Sequence, residues 1–381
     1  MKICGISTKA SPIRTFMISN LNYAASKGAE SFAISKMDED LTPYLGSIQH
    51  ISIDMTWGNP RPSQLIKDIY HLYKIFKKYK FDVIQYATSN ASLNACIAGF
   101  FAHIPVRIYC QWGISYGDYK GIKGWIYKMM EKLTCSLSTS VQPDSIANLE
   151  FSIVQKLYPK EKGEVIHHGS ATGVDLSKYD ISHRMEWRAE IRSKYNIPSN
   201  AFLFGFVGRL SLEKGMNELL EAFNNQNNDN IYLMVVGPEY NSEMLNQQQL
   251  NAAKKNKHVI FVGPVPSAEK YFAALDWLVL PSYREGFGMV LIEAAATGTP
   301  SMISNIKGPT DFVKDEINGL IFDVKSVSSL TSTLNKAINM SKDSYQTIAR
   351  RAYEDASSKF NMKDYQEAWW ENRLKLYKQC H

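Results

Sequence analysis

Cysteine is scarce in this chain and widely spaced. Cys4, Cys96, Cys110, Cys135 and Cys380 form no CxxC pair, and no His/Cys cluster has zinc-ligand spacing. That excludes a disulfide framework and a structural zinc, and an odd, scattered set fits a reducing cytoplasm. Long apolar runs are missing too. The longest, Ala95 to Val106, is broken by His103 and Pro105 and is too short to span a bilayer. The N-terminal MKICGISTKASP holds no apolar stretch of signal-peptide length. Repeats and low-complexity tracts are absent. Neither sign of charge dominates: the net charge is +6, and no zinc-finger, RRM or helix-turn-helix spacing occurs, so nucleic acid is not an expected partner. A soluble or membrane-peripheral protein remains.

What is present is ordinary for a globular chain. Apolar residues make up 45% and charged residues 21% of 381 positions, enough for two domains with real cores. The positive excess is local: residues 1–180 carry 20 basic and 15 acidic side chains, the remainder 23 and 22. Short apolar β-like runs alternate with helical stretches, the pattern of an α/β chain with parallel sheets. In the first half the expected strands are 2–7, 31–35, 50–53, 82–86, 106–110, 139–142 and 164–167. The expected helices are 12–27, 62–79, 91–102, 124–137 and 145–157. The polar segment 177–200 reads as a linker with one helix near 185–194. Strands restart at 202–207, 231–236, 258–262, 277–280, 300–303 and 319–322, and two long helices, 344–358 and 362–378, end the chain.

The stretch 281–300, PSYREGFGMVLIEAAATGTP, carries the strongest chemical signal. It follows an apolar strand and opens a helix at Met289, with Glu285 before the helix start and Glu293 two turns inside it. A helix N-terminus presents unpaired N–H groups and a positive dipole end, suited to an anion or a hydroxyl-rich ligand. Two carboxylates so placed can each accept hydrogen bonds from sugar hydroxyls. After the strand 202–207 comes Gly208-Arg209-Leu210-Ser211-Leu212-Glu213-Lys214-Gly215. Loops at strand C-termini are where open α/β sheets bind ligands. Arg209 offers a rigid fork and Lys214 a mobile point charge, a pair able to neutralise a diphosphate leaving group.

Both strings resemble the donor-site motifs of the retaining glycosyltransferases of family 4, which have the GT-B fold: two Rossmann-like domains facing a cleft. The resemblance implies an acceptor domain over 1–176, with the helix 362–378 packed back on it, and a nucleotide-sugar domain over 177–361. It places Gly208, Arg209 and Lys214 at the donor phosphates, Glu285 on the transferred sugar and Glu293 on the ribose. It also implies that Gly286, Phe287, Gly288, Met289 and Val290 line the sugar and phosphate. The loops with Gly237-Pro238 and with Val265 would line the nucleotide, the second reaching the base. The implied reaction is retaining transfer from a nucleotide sugar, UDP favoured over GDP, with Arg209, Lys214 and Glu285 catalytic and no metal or other cofactor.

The segment 167–175, HHGSATGVD, is similar to the region before the interdomain linker in capsule and O-antigen members. His168 and the turn at Gly173 become candidate cleft residues, although Thr172 stands where Asn is usual. Gln111-Trp112-Gly113 replaces the usual His-Gly, with Trp112 a candidate to stack on a sugar. Lys9 stands in a first loop that lacks the family's glycine pair. Asp38-Glu39-Asp40 formally reads DxD but is expected to be a solvated acidic turn. Residues 67–80 and 120–132 mix lysines with aromatic and apolar residues, and both read as basic amphipathic helices suited to an anionic membrane surface. A polyprenyl-diphosphate-linked saccharide acceptor at the inner face of the cell membrane fits. Two other readings stay open: a sugar-nucleotide 2-epimerase and a non-catalytic partner subunit.

Overall fold

The computed structural model describes every residue except 57, 59, 60, 115, 117–120, 225–227 and 381. Its strands are β1 (Lys2–Ile6), β2 (Glu30–Ser35), β3 (Gln49–Ser52), β4 (Val83–Tyr86), β5 (Val106–Gln111) and β6 (Ser140–Pro143). Then come β7 (Phe202–Val207), β8 (Ile231–Val236), β9 (Val259–Gly263), β10 (Trp277–Leu280), β11 (Ser301–Ser304) and β12 (Gly319–Phe322). They form two six-stranded parallel sheets, of order β3-β2-β1-β4-β5-β6 and β12-β11-β10-β7-β8-β9. Counted from its own first strand, each sheet has the same order. Winding reverses beside β1 in one and beside β7 in the other. Parallel strands need helical crossovers, which bury both sheet faces, so central strands read as continuous apolar runs. All four residues of β10, Trp-Leu-Val-Leu, are buried.

The chain divides into two compact units, Met1–Thr172 with Lys363–His381, and Gly173–Met362. In the first, helices Pro62–Tyr79, Ser89–Phe101 and Gly121–Leu137 pack side by side. Beneath them lies a core of Cys4, Ile6, Phe32, Phe76, Ile84 and Ala95. The last helix, Met362–Lys378, places Tyr365 and Trp369 in the other core of this unit. Its Arg373 is buried, donates to Gln85 Oε1 at 2.9 Å and lies 4.4 Å over the Trp369 ring. Burial pushes this guanidinium down to about 10.

Several expected elements differ. The helix expected over 12–27 is two, Ala10–Phe16 and Ile18–Ser26, because Met17 leaves helical geometry at φ −121°. Residues 164–167 are not a strand. A single bridge, Val141 to Gly163, and one bond, Glu164 N to Val141 O, touch the sheet before the chain turns at His167. The 177–200 segment is not a linker either. Its helix, Arg184–Lys194, sends Arg188 and Arg192 to the two oxygens of Asp276 at 2.7 and 2.8 Å. The charges that suggested a solvated connector dock it onto the second unit.

Candidate active site

In an open α/β sheet, the loops after two adjacent strands diverge where winding reverses and leave a crevice there. In the second unit this falls between the paired strands β7 and β10. The loops concerned are 208–215 and 281–288, the two singled out by motif. Backbone stacks on backbone here, which only glycine permits. Gly215 has φ 69°, and a Cβ on it would lie 1.9 Å from Pro281 O. Gly308 has φ 89°, and its Cβ would lie 2.0 Å from Gly286 O. Tyr283 N donates to Glu213 O at 2.9 Å, and the Tyr283 hydroxyl reaches both Glu218 oxygens at 2.7 and 2.8 Å.

This clamp brings together two residues 71 positions apart. Lys214 Nζ meets Glu285 Oε1 at 2.5 Å, and Ser282 Oγ donates to the same oxygen at 2.7 Å. The two side chains are only 20% and 12% exposed. Little solvent screens the pair, so its charges are fixed in position and strongly felt by anything that enters. Arg209 is different. It is half exposed, stacks 4.6 Å from the Tyr240 ring and stands 3.7 Å from Glu213, an arrangement loose enough to turn towards a ligand.

The helix that follows spans Met289–Ala296 and starts from Gly288 at φ 90°, with no side chain capping it. Among the described residues, no side chain is seen to accept from its first N–H groups, of Met289 and Val290. The Phe287 ring is not part of a ligand surface. It is buried against Phe360 at 5.1 Å, leaving only its backbone to serve the loop. Glu293 is the fifth helical residue, one turn inside rather than two. Burial pushes its carboxyl above the usual glutamate range, offset in part by a hydrogen bond from Tyr179 and by Lys178, while Glu269 nearby adds to the rise. Some of its surface remains open.

Two further loops line the same edge. Leu210 N donates to Pro238 O at 2.9 Å and Gly237 N to Gly263 O at 2.9 Å, so the loops after β7, β8 and β9 are laced together. Val265 packs at the margin of the core beneath them.

The first-unit and junction candidates are placed differently. Trp112 is half buried, its ring in a T-shaped contact with Phe16 at 5.1 Å. Gly113 follows at φ 97°. His167 and His168 are exposed, their rings 4.5 Å apart, in the turn that replaces the expected strand. Gly173, expected to form a tight turn facing a cleft, uses φ 70° to lie against Phe360 O and Met362, where a Cβ would be 2.8 Å away. Its conformation serves packing. Lys9 lines a groove of about 770 Å³ with Lys36, Arg61, Asp38 and Asp54. The acidic triplet is tied to the chain: Asp38 accepts from Ala10 N at 2.9 Å, Glu39 from Arg14 Nε at 2.8 Å and Asp40 from Thr42 N at 2.9 Å.

Two residues of the site escaped the sequence reading. Ser282 lay inside the motif but had no assigned partner until the loop folded. Tyr179 lay in the stretch taken as linker, and only the docking of that stretch brings its hydroxyl to Glu293.

Residues 188–355 match the family model described as Glycosyl transferases group 1. Over 367 residues, 95% of this chain and 93% of the relative, the sequence is 25% identical to a Staphylococcus aureus capsular polysaccharide biosynthesis glycosyltransferase, CapM. It is 26% identical over 310 residues, 79% of this chain and 78% of the relative, to an Escherichia coli enzyme. That relative is named UDP-Gal:alpha-D-GlcNAc-diphosphoundecaprenol alpha-1,3-galactosyltransferase. Among solved structures, Anabaena HepE in complex with UDP superposes with a TM-score of 0.79 at 20% identity, covering 98% of this chain and 100% of that one. The fold is the GT-B fold expected from the motifs.

Proposed function

We propose that this chain, through its glycosyl transferases group 1 domain, moves a sugar from a UDP-sugar to a saccharide carried on a polyprenyl diphosphate, in capsule or O-antigen assembly, with retention at the anomeric carbon. The observation that carries the reading is the Lys214–Glu285 pair, clamped at the β7/β10 reversal above an uncapped helix N-terminus. Support for the substrate classes comes from the relatives, one named for capsular polysaccharide and one for a diphosphoundecaprenol acceptor.

Lys214 and Arg209 hold the donor diphosphate, Lys214 sharing its charge between phosphate and Glu285. Glu285, aimed by Ser282, accepts from hydroxyls of the transferred sugar. Glu293 accepts from the ribose and Val265 lies at the base. The acceptor oxygen attacks the anomeric carbon from the face the diphosphate leaves. The C1–O bond to phosphate breaks, and the departing phosphate oxygen takes the acceptor's proton. The cations stabilise charge developing on the diphosphate, and one such donor contributes roughly 3–4 kcal/mol. They do so without a metal. The protein works on the cytoplasmic face of the cell membrane and touches it through residues 67–80 and 120–132, of which Lys120 lies outside the described residues.

The test is incubation with a panel of labelled UDP- and GDP-sugars and a polyprenyl-diphosphate saccharide, with EDTA present. Label passing into the lipid extract with the donor's α configuration kept, as read by NMR, is expected. An inverted linkage, or loss of transfer in EDTA, overturns the mechanism. Conversion of the donor without acceptor makes the chain an epimerase instead.

A further inference from the structure

The helices Pro62–Tyr79, Ser89–Phe101 and Gly121–Leu137 form one layer on the first unit's sheet. They contain seven lysines, Lys67, Lys74, Lys77, Lys78, Lys123, Lys128 and Lys132, and two acids, Asp68 and Glu131. Both acids turn inwards. Asp68 is buried and takes hydrogen bonds from Thr56 N and Gln64 Nε2 at 3.1 and 2.9 Å. Glu131 takes them from the Tyr109 hydroxyl at 3.1 Å and from Gln111 Nε2 at 2.5 Å. The layer's outer face therefore carries cations without carboxylates of its own.

The helices differ in where their apolar residues point. Pro62–Tyr79 puts Leu72 and Phe76 into the core and turns Lys67, Lys74, Lys77 and Lys78 outwards, with Ile66 and Tyr70 exposed among them. Gly121–Leu137 buries only Thr134 and Cys135 completely. Its outward face is Ile122, Trp125, Ile126, Met129 and Leu133, exposed by 78%, 63%, 46%, 42% and 44%. These positions follow one another by three, one, three and four residues, a continuous helical stripe. Five large apolar side chains in one stripe exceed the scattered exposure normal for a protein surface.

We infer that the Ile122–Leu133 stripe inserts into the headgroup boundary of an anionic bilayer while the Pro62–Tyr79 helix rests its lysines on the headgroups. An apolar stripe on a layer whose outer face bears lysines and no acids of its own is complementary to a surface that is apolar beneath and negative above. Trp125 supplies the amphipathic ring that settles at such a boundary. The inference divides between two helices the membrane contact proposed above, and for its setting it rests on that reading. Its test needs neither donor nor acceptor, so the two can fail separately.

Flotation with phosphatidylcholine vesicles, and with vesicles containing phosphatidylglycerol, is compared for the protein and for Ile122→Ser/Trp125→Ser/Met129→Ser. The unchanged protein should float with anionic vesicles and far less with neutral ones. The triple variant should lose more than tenfold in vesicle affinity with its melting temperature not lowered. Lys74→Glu/Lys77→Glu should lose severalfold, with a weaker salt dependence. As a fold-neutral check, Trp125 emission, taken as the difference from Trp125→Phe, should shift to the blue on anionic vesicles. Equal flotation of the triple variant overturns the inference. So does a dimer that the triple variant dissolves while vesicle binding stays the same, which would give the stripe to a second copy.

Discussion

The two units share one strand order and put different things on it. At the winding reversal of the second unit, charge is held in place: Lys214 on Glu285, Ser282 on the same oxygen, three loops stacked through glycines. At the equivalent reversal of the first unit, between β1 and β4, the loops meet through hydroxyls, Thr8 Oγ1 and Thr88 Oγ1 at 2.9 Å, with Thr88 at φ 68°. The first unit's most distinctive surface lies elsewhere, on its helical layer. A shared fold fixes where loops meet, and the residues placed there decide the chemistry.

The comparison predicts separable failures, and the largest belongs to the second unit. On the proposed reading, Lys214→Ala removes a donor to the leaving group, and it takes from Glu285 the cation hydrogen-bonded to it. The expected loss in kcat is about 10²–10³-fold, the same for a soluble and a vesicle-borne acceptor. A loss seen only with vesicles would merge the two units' roles. Glu285→Gln keeps the shape but weakens acceptance from sugar hydroxyls. Steady-state kinetics should show kcat falling by roughly tenfold or more while UDP affinity stays within a few-fold.

A smaller effect sharpens the contrast between the two glutamates. Burial raises the Glu293 carboxyl in the empty protein. As pH rises from the ordinary glutamate value through this raised one, the unfolded chain ionises first, so the folded protein loses stability across that window. On the proposed reading, nucleotide binding favours the ionised form, which accepts from the ribose hydroxyls, so UDP affinity is expected to rise across the same window. Calorimetry at a series of pH values from the ordinary glutamate value upwards should show this rise in the unchanged protein and a flat profile for Glu293→Gln.

Much of this was legible in advance. β7, β8, β10 and β12 and the helices Pro62–Tyr79 and Met362–Lys378 match their expected limits, because strong apolar periodicity and glycine or proline punctuation coincide there. The site loops were readable because their glycines and charges are local. What was not legible depended on distant contacts. Arg188 and Arg192 look solvated until Asp276 is known to face them. The two lysine-rich helices look alike in sequence, and only the fold reveals that Pro62–Tyr79 sends Leu72 and Phe76 into the core while Gly121–Leu137 turns a five-residue apolar stripe outwards. Nothing in the sequence announces Phe16 beside Trp112 either.

The most direct test of the donor site is titration of UDP into the protein and into Glu293→Ala, followed by calorimetry. A charged hydrogen bond contributes about 1.5–3 kcal/mol, so the variant should bind UDP roughly 10- to 100-fold more weakly. Its melting temperature without ligand is read alongside, since the variant also leaves the Tyr179 hydroxyl without this acceptor. Equal affinity in the two proteins would place the ribose elsewhere and contradict the site described.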